Sequence, residues 1–128
     1  MNDMLLKAYL DGWSRICNST PESVGAMIAG AHPDIRFTDV NSANVHVGHD
    51  GIRTICKLAS QGYVGAAISC RALLFDGRSW AIRWTLAGPR ADGTSFSCEG
   101  TSAGTVGDDG RVIEHTDYWS REALRAQR

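Results

Sequence analysis

The stretch Gly107-Asp108-Asp109-Gly110-Arg111-Val112-Ile113-Glu114-His115-Thr116-Asp117-Tyr118-Trp119 sets a turn in front of a run of period two. Gly and Asp tolerate positive φ, so the first four residues suit a tight reversal. The β-branched and aromatic residues behind them suit a strand. Alternation places Ile113, His115, Asp117 and Trp119 on one face and Val112, Glu114, Thr116 and Tyr118 on the other. A face that mixes His, Asp and Trp suits neither a solvated surface nor an oil-filled core. It suits a polar-lined pocket.

The same period holds upstream as far as Val64. Four runs, 64–75, 78–88, 94–106 and 111–119, are separated by Asp76-Gly77, Ala91-Asp92-Gly93 and Gly107-Asp108-Asp109-Gly110. This pattern predicts a four-stranded antiparallel meander. Trp80, Ile82, Trp84 and Leu86 share one face of its second strand, either packed under helices or forming a dimer face. Before Val64 the period is helical. Met4, Leu5, Ala8, Tyr9, Gly12, Trp13 and Ile16 recur at three- and four-residue steps. Thr20 can cap a second helix with Pro21 and Glu22 in its first turn; Val24, Met27 and Ile28 form its stripe, and Gly30 with His32-Pro33 ends it. Residues 35–40 alternate as a short strand, Asn41-Ser42-Ala43-Asn44 turns, and Val45-His46-Val47 pairs back. A third helix spans 49–61 through Ile52, Ile55, Cys56 and Ala59, and the polar, Ala-rich residues 120–128 read as a short helical or frayed tail. The expected class is α+β: one domain over 1–128, with three N-terminal helices on one face of a strongly curved antiparallel sheet.

Composition narrows the function. A chain of 128 residues with 43% hydrophobic and 21% charged residues can bury a core and an internal pocket. Thirteen Lys and Arg against fourteen Asp and Glu leave a net charge of −1 with no basic block, which argues against a nucleic-acid partner. No apolar run approaches the ~20 residues of a membrane span. Met1-Asn2-Asp3-Met4 does not read as a signal peptide, and Cys17, Cys56, Cys70 and Cys98 stand singly, so reduced thiols in a cytoplasmic protein are expected. No metal spacing, G-x-S-x-G nucleophile or Gly-rich phosphate loop is present, so neither metal nor cofactor is expected.

The order of elements, the pair Asp34-Ile35-Arg36-Phe37-Thr38-Asp39-Val40 and Val47-Gly48-His49-Asp50-Gly51-Ile52, and the stretch 110–119 resemble the nuclear-transport-factor-2-like superfamily. This group includes ketosteroid isomerases, SnoaL-type polyketide cyclases and limonene-epoxide hydrolases. The resemblance implies a cone-shaped fold with a deep apolar cavity at its open end and a homodimer through the sheet. One scaffold serves many activities, so a fold of this kind does not fix a function.

Several residues are candidates for chemistry. Asp39 shares a face with Phe37; it is either a general base facing the cavity, as the resemblance to ketosteroid isomerases implies, or a turn residue accepting backbone N–H groups before Asn41. Asp117 matches the water-activating Asp of limonene-epoxide hydrolases. Arg83 matches the arginine between their two acids, although Thr85 stands where the second acid belongs. The alternative for Asp117 is a buried ion pair with Arg83 that orders the sheet. Glu99 either supplies the missing acid or points outward. The oxyanion hole of ketosteroid isomerases falls near Trp13 and Ser102, neither of which reproduces its Tyr–Asp pair. His115 either orients Asp117 and shuttles its proton or is structural; His46 belongs at the pocket mouth, while His32 and His49 flank helix ends. Trp13, Phe37 and Trp119 would wall a pocket for a small hydrophobic molecule. The expected activity is isomerisation or cyclisation of a polyketide-, terpenoid- or steroid-like substrate, with Asp117 and Asp39 as the proton-transferring pair. Epoxide opening by Asp117, or a non-catalytic binding or assembly module, is the alternative.

Overall fold

Local chemistry sets where the second helix begins. Thr20 Oγ1 accepts from the Ser23 backbone N–H at 3.1 Å and Ser23 Oγ from that of Thr20 at 2.9 Å. This reciprocal cap starts α2 (Pro21–Ala29), with the proline in its first turn. The computed structural model describes residues 2–120 and residue 122. Helix α1 (Met4–Trp13) runs into α2 through a 3₁₀ turn, Ile16–Asn18. Its buried stripe is Leu6, Tyr9, Leu10 and Trp13, continued by Cys17. The expected Met4–Leu5–Ala8 face is therefore rotated, and Met4 is 68% exposed. Both stripes have helical spacing; burying Leu6 and Leu10 removes more apolar surface from water than burying Ala8 does.

The strands are β1 (Ala31–Asp39), β2 (Val45–Val47), β3 (Ala67–Phe75), β4 (Ser79–Pro89), β5 (Ser95–Val106) and β6 (Val112–Trp119), with α3 (Gly48–Gly62) between β2 and β3. They form one curved sheet in the order β2-β1-β6-β5-β4-β3, with the helices packed on it. The meander from β3 to β6 is antiparallel throughout, as its turns require; Gly77 and Gly110 take φ of 97° and 83° in two of them. Strand β1 begins at Ala31 rather than Ile35 and lies parallel to β6, placing Phe37 beside His115 and Asp39 beside Asp117. In-register residues on neighbouring strands share a face, so both carboxylates point to the concave side.

A register shift between Thr105 and Val106 opposes Val106 to Val112. Val112 consequently lies wholly in the core and Ile113 is half-buried, the reverse of the simple alternation. From His115 onward the alternation resumes. Trp80, Ile82, Trp84 and Leu86 all pack beneath the helices. The tail at 120–128 falls outside the described residues except for Ser120 and Glu122. Among the described residues no helix is long and apolar enough to cross a membrane.

Candidate active site

A cavity of about 250 Å³ opens between α1, α3 and the concave face of the sheet. Trp13, Phe37, Tyr63, Trp84 and Trp119 contribute its aromatic walls, and Ile55, Leu58, Ala59, Ile68 and Leu86 line more of it. The rings of Trp13, Trp84, Trp119 and Tyr63 follow one another edge to face, with centroids 5.8, 6.3 and 6.5 Å apart. Two carboxylates reach this space, Asp117 and Asp39, and His46 sits with Ser42 and Asn44 where the β1–β2 turn borders it.

Asp117 is buried, with 10% of its side chain exposed. Its Oδ1 accepts from Ser102 Oγ at 2.5 Å, and His115 Nε2 lies 2.6 Å from the same oxygen. Trp84 Nε1, which can only donate, bonds Ser102 Oγ at 2.9 Å and leaves the serine hydrogen for Asp117. His115 Nδ1 lies 2.7 Å from the Tyr9 hydroxyl. Tyr9, Ser102 and His115 are all fully buried. Burial, and after it the negative charge of Asp117, holds the Tyr9 hydroxyl well above the ordinary tyrosine range. With one oxygen occupied twice, Asp117 Oδ2 has no partner among the described residues and is the oxygen left for a guest in the cavity.

Asp39 is held differently. Its Oδ1 accepts from the Asn41 backbone N–H at 2.8 Å and from Asn41 Nδ2 at 3.1 Å, while its Oδ2 accepts from Trp119 Nε1 at 2.8 Å. Asn41 Nδ2 also reaches the Trp119 carbonyl at 2.9 Å. Asp39 is thus the turn acceptor foreseen as one of its two readings, and it lines the cavity as well.

Two expected residues do not join this site. Arg83 is exposed and opposes Thr101 and Arg71 on the convex face, because β4 turns Ile82 and Trp84 inward. It therefore neither sits between the two aspartates nor pairs with Asp117. Glu99 is likewise exposed, opposite Thr85, because its neighbours Cys98 and Gly100 flank it on an alternating strand. The small residues around Glu99 serve a different purpose: a Cβ on Gly100 would overlap Trp84 Cζ2, so the glycine lets the indole lie across β5 and reach Ser102. Trp13, Phe37 and Trp119 do wall the cavity. His49 Nε2 meets the Ala31 carbonyl at 2.9 Å, and His32 Nδ1 accepts from the Asp34 N–H at 3.0 Å.

Ser102, which the resemblance set near the oxyanion-hole position, instead holds Asp117 Oδ1, and Tyr9 joins the network without a distinct sequence signal. Tyr9 carries the helical period of an ordinary core residue, and only its chain-distant partner gives its hydroxyl a meaning. The cysteines are unpaired. Cys17 lines the cavity, but burial pushes its thiol up to about 11, which leaves little thiolate at neutral pH for nucleophilic attack. Among the described residues no three His, Cys, Asp or Glu side chains gather to hold a metal ion.

The fold is NTF2-like, and it holds a buried carboxylate in an aromatic pocket. Residues 7–115 match the SnoaL-like domain, and the chain belongs to that family. No curated protein matches the sequence. Among solved structures it is similar to TerC co-crystallised with polyporic acid (16% identity, 96% of each chain covered, TM-score 0.76). It is also similar to a protein of ketosteroid isomerase-like fold from Catenulispora acidiphila in complex with trimethylamine (14% identity, 99% of this chain and 93% of the other, TM-score 0.78). A third is a proposed polyketide cyclase from Xanthomonas campestris (19% identity, 96% and 93%, TM-score 0.72). At such identities the likeness is one of fold.

Proposed function

We propose that this protein is a cofactor-independent acid–base catalyst, an isomerase or cyclase, that moves a proton on a small apolar molecule of polyketide or terpenoid type. The observation that carries the reading is Asp117: a buried carboxylate with Oδ1 held by the protein and Oδ2 left for the aromatic cavity. A carboxylate placed against a bound C–H acid is a general base, and burial excludes competing water. The C–H bond breaks, its proton passes to Oδ2 and the electron pair stays on the substrate. In an isomerisation the proton returns to another carbon; in a ring closure the pair forms a bond to a carbonyl carbon of the same molecule, the C=O π pair moves to its oxygen, and that oxygen takes the proton. The cavity, about 250 Å³, lies just below the ~300–1,000 Å³ of typical small-molecule sites, which favours one or two rings over a four-ring steroid. Family membership and the ligand-bound neighbours support a small-molecule role. Epoxide opening has less support, since Arg83 lies on the opposite face of the sheet.

The test uses 5-nitrobenzisoxazole, a flat neutral C–H acid whose deprotonation breaks its N–O bond and releases a coloured cyanophenolate. The protein should bind it, read by quenching of tryptophan fluorescence, and accelerate its elimination about 10³-fold or more over acetate at equal concentration. Asp117→Asn should keep the fold and lower that rate by about 10²-fold or more. Binding without acceleration would make the chain a binding module instead, and an undiminished rate in the variant would mean that Asp117 is not the base.

A further inference from the structure

The hydrogen-bond row behind Asp117 continues past His115 to a residue that touches no part of the cavity. His115 is enclosed by aromatic rings: Phe37 lies tilted by 31° at 4.1 Å between centroids, with Trp80 at 5.1 Å, Trp13 at 5.4 Å and Tyr9 at 5.6 Å. Among the described residues, the imidazole meets polar atoms only through its two ring nitrogens, Nε2 at Asp117 and Nδ1 at Tyr9.

The direction of the row follows from donor and acceptor counting. A carboxylate oxygen only accepts, so Nε2 carries the hydrogen that faces Asp117. Nδ1 then either accepts from Tyr9 or donates to it. The Tyr9 hydroxyl has no other hydrogen-bond partner among the described residues. If Nδ1 donated, the phenolic hydrogen would be a buried donor without an acceptor, which costs far more than one hydrogen bond is worth. If instead Nδ1 alone carried the hydrogen, a nitrogen lone pair would face the Asp117 oxygen at 2.6 Å. The arrangement that satisfies every atom has Tyr9 donating to Nδ1 and His115 donating to Oδ1. The hydroxyl is well suited to donate, because burial and the nearby Asp117 charge keep it protonated.

We infer that Tyr9 is a positioning residue for Asp117: by donating to Nδ1 it locks His115 in the Nε2–H tautomer, keeps Oδ1 occupied by His115 and Ser102, and leaves Oδ2 as the proton acceptor of the cavity. The inference rests on Asp117 being the base of the proposed reaction. During proton transfer the bond that forms is on Oδ2, and neither His115 nor Tyr9 gains or loses a hydrogen. The row is a brace and not a proton exit.

The experiment is the ¹⁵N imidazole spectrum of the full chain at pH 7, with the His115 signals identified by their loss in His115→Gln, beside the same spectrum of Tyr9→Phe. The wild type should show His115 as the Nε2–H tautomer with an accepting Nδ1. Tyr9→Phe keeps the ring but removes the donor; Asp117 still holds the Nε2 hydrogen, and Nδ1, no longer occupied, should take up a second proton, so the spectrum should show a doubly protonated ring. Its kcat for 5-nitrobenzisoxazole should fall about tenfold or more with KM within about twofold, the size of loss seen when a group that orients an active-site ligand is removed. A wild-type His115 that is Nδ1–H or doubly protonated overturns the inference, and this outcome needs no variant to fold. So does a Tyr9→Phe protein with wild-type tautomer and wild-type kcat. If the tautomers behave as expected while Asp117→Asn retains full rate, the lock stands and the catalytic reading of Asp117 falls.

Discussion

Asp39 and Asp117 stand side by side in the sheet, yet their surroundings give them separate tasks. Three N–H donors from Asn41 and Trp119 occupy both oxygens of Asp39. Among the described residues, the Asp117 carboxylate accepts both its bonds on Oδ1. Amide substitution separates the two. In Asp117→Asn the amide oxygen can still accept from Ser102 and His115 while the NH₂ turns to the cavity, so stability should barely change and proton abstraction should stop. In Asp39→Asn the new NH₂ must face an existing donor, either Asn41 or the Trp119 indole, and an unmatched polar pair of this kind costs about 1–3 kcal/mol. Asp39→Asn should therefore lower the thermal midpoint clearly and the elimination rate less than Asp117→Asn does. Equal rate losses with equal stability would instead make the two aspartates a proton-sharing pair.

Among the elements, the β4–β5 pair does most to shape the site. Trp84 opposes Gly100 and Trp80 opposes Gly104, and a Cβ on either glycine would collide with the indole or with the Glu114 carbonyl. Gly100→Ala should push Trp84 off Ser102, shift the tryptophan emission and destabilise the chain by about 1–3 kcal/mol, the usual cost of an overpacked core. An unchanged spectrum and midpoint would mean that the indole has room the geometry does not show. The strands and turns of this region were legible in the sequence because their signals are local: alternation, and Gly beside Asp at each reversal. Arg83 alternates with Trp84, which packs inward, so it lies on the convex face, away from the aspartates toward which the register borrowed from the epoxide-hydrolase resemblance had brought it. The core position of Val112 was not legible, since a single-residue register shift reverses which side chain faces inward. Nor was the parallel pairing of β1 with β6, or the bond from Tyr9 to His115 across 106 residues, because sequence periodicity carries no information about which distant elements meet.

At the scale of the whole molecule, the layers divide stability from function. The helices and the inner face of the sheet bury a nearly continuous core around His115, and the cavity opens at one side of it, between α1, α3 and the concave face, sharing Trp13, Phe37 and Trp84 with that core. Filling the cavity should therefore remove activity without unfolding the chain. Ala59 is the position for this: it lies on α3, is half-buried and lines the space between Leu58 and Tyr63 in the chain. In Ala59→Phe the added ring would occupy space otherwise open to a guest, and cavity-filling substitutions commonly stabilise by about 0.5–2 kcal/mol. Its thermal midpoint should hold or rise. The rise in midpoint that 5-nitrobenzisoxazole produces in the wild type should disappear, since a ligand stabilises only in proportion to its binding. The elimination rate should fall to that of Asp117→Asn. A filled cavity that still turns over the probe would place the chemistry elsewhere on the surface. A lower midpoint would show that the walls cannot yield, because Trp13, Phe37 and Trp84 line the cavity and belong to the packed core as well.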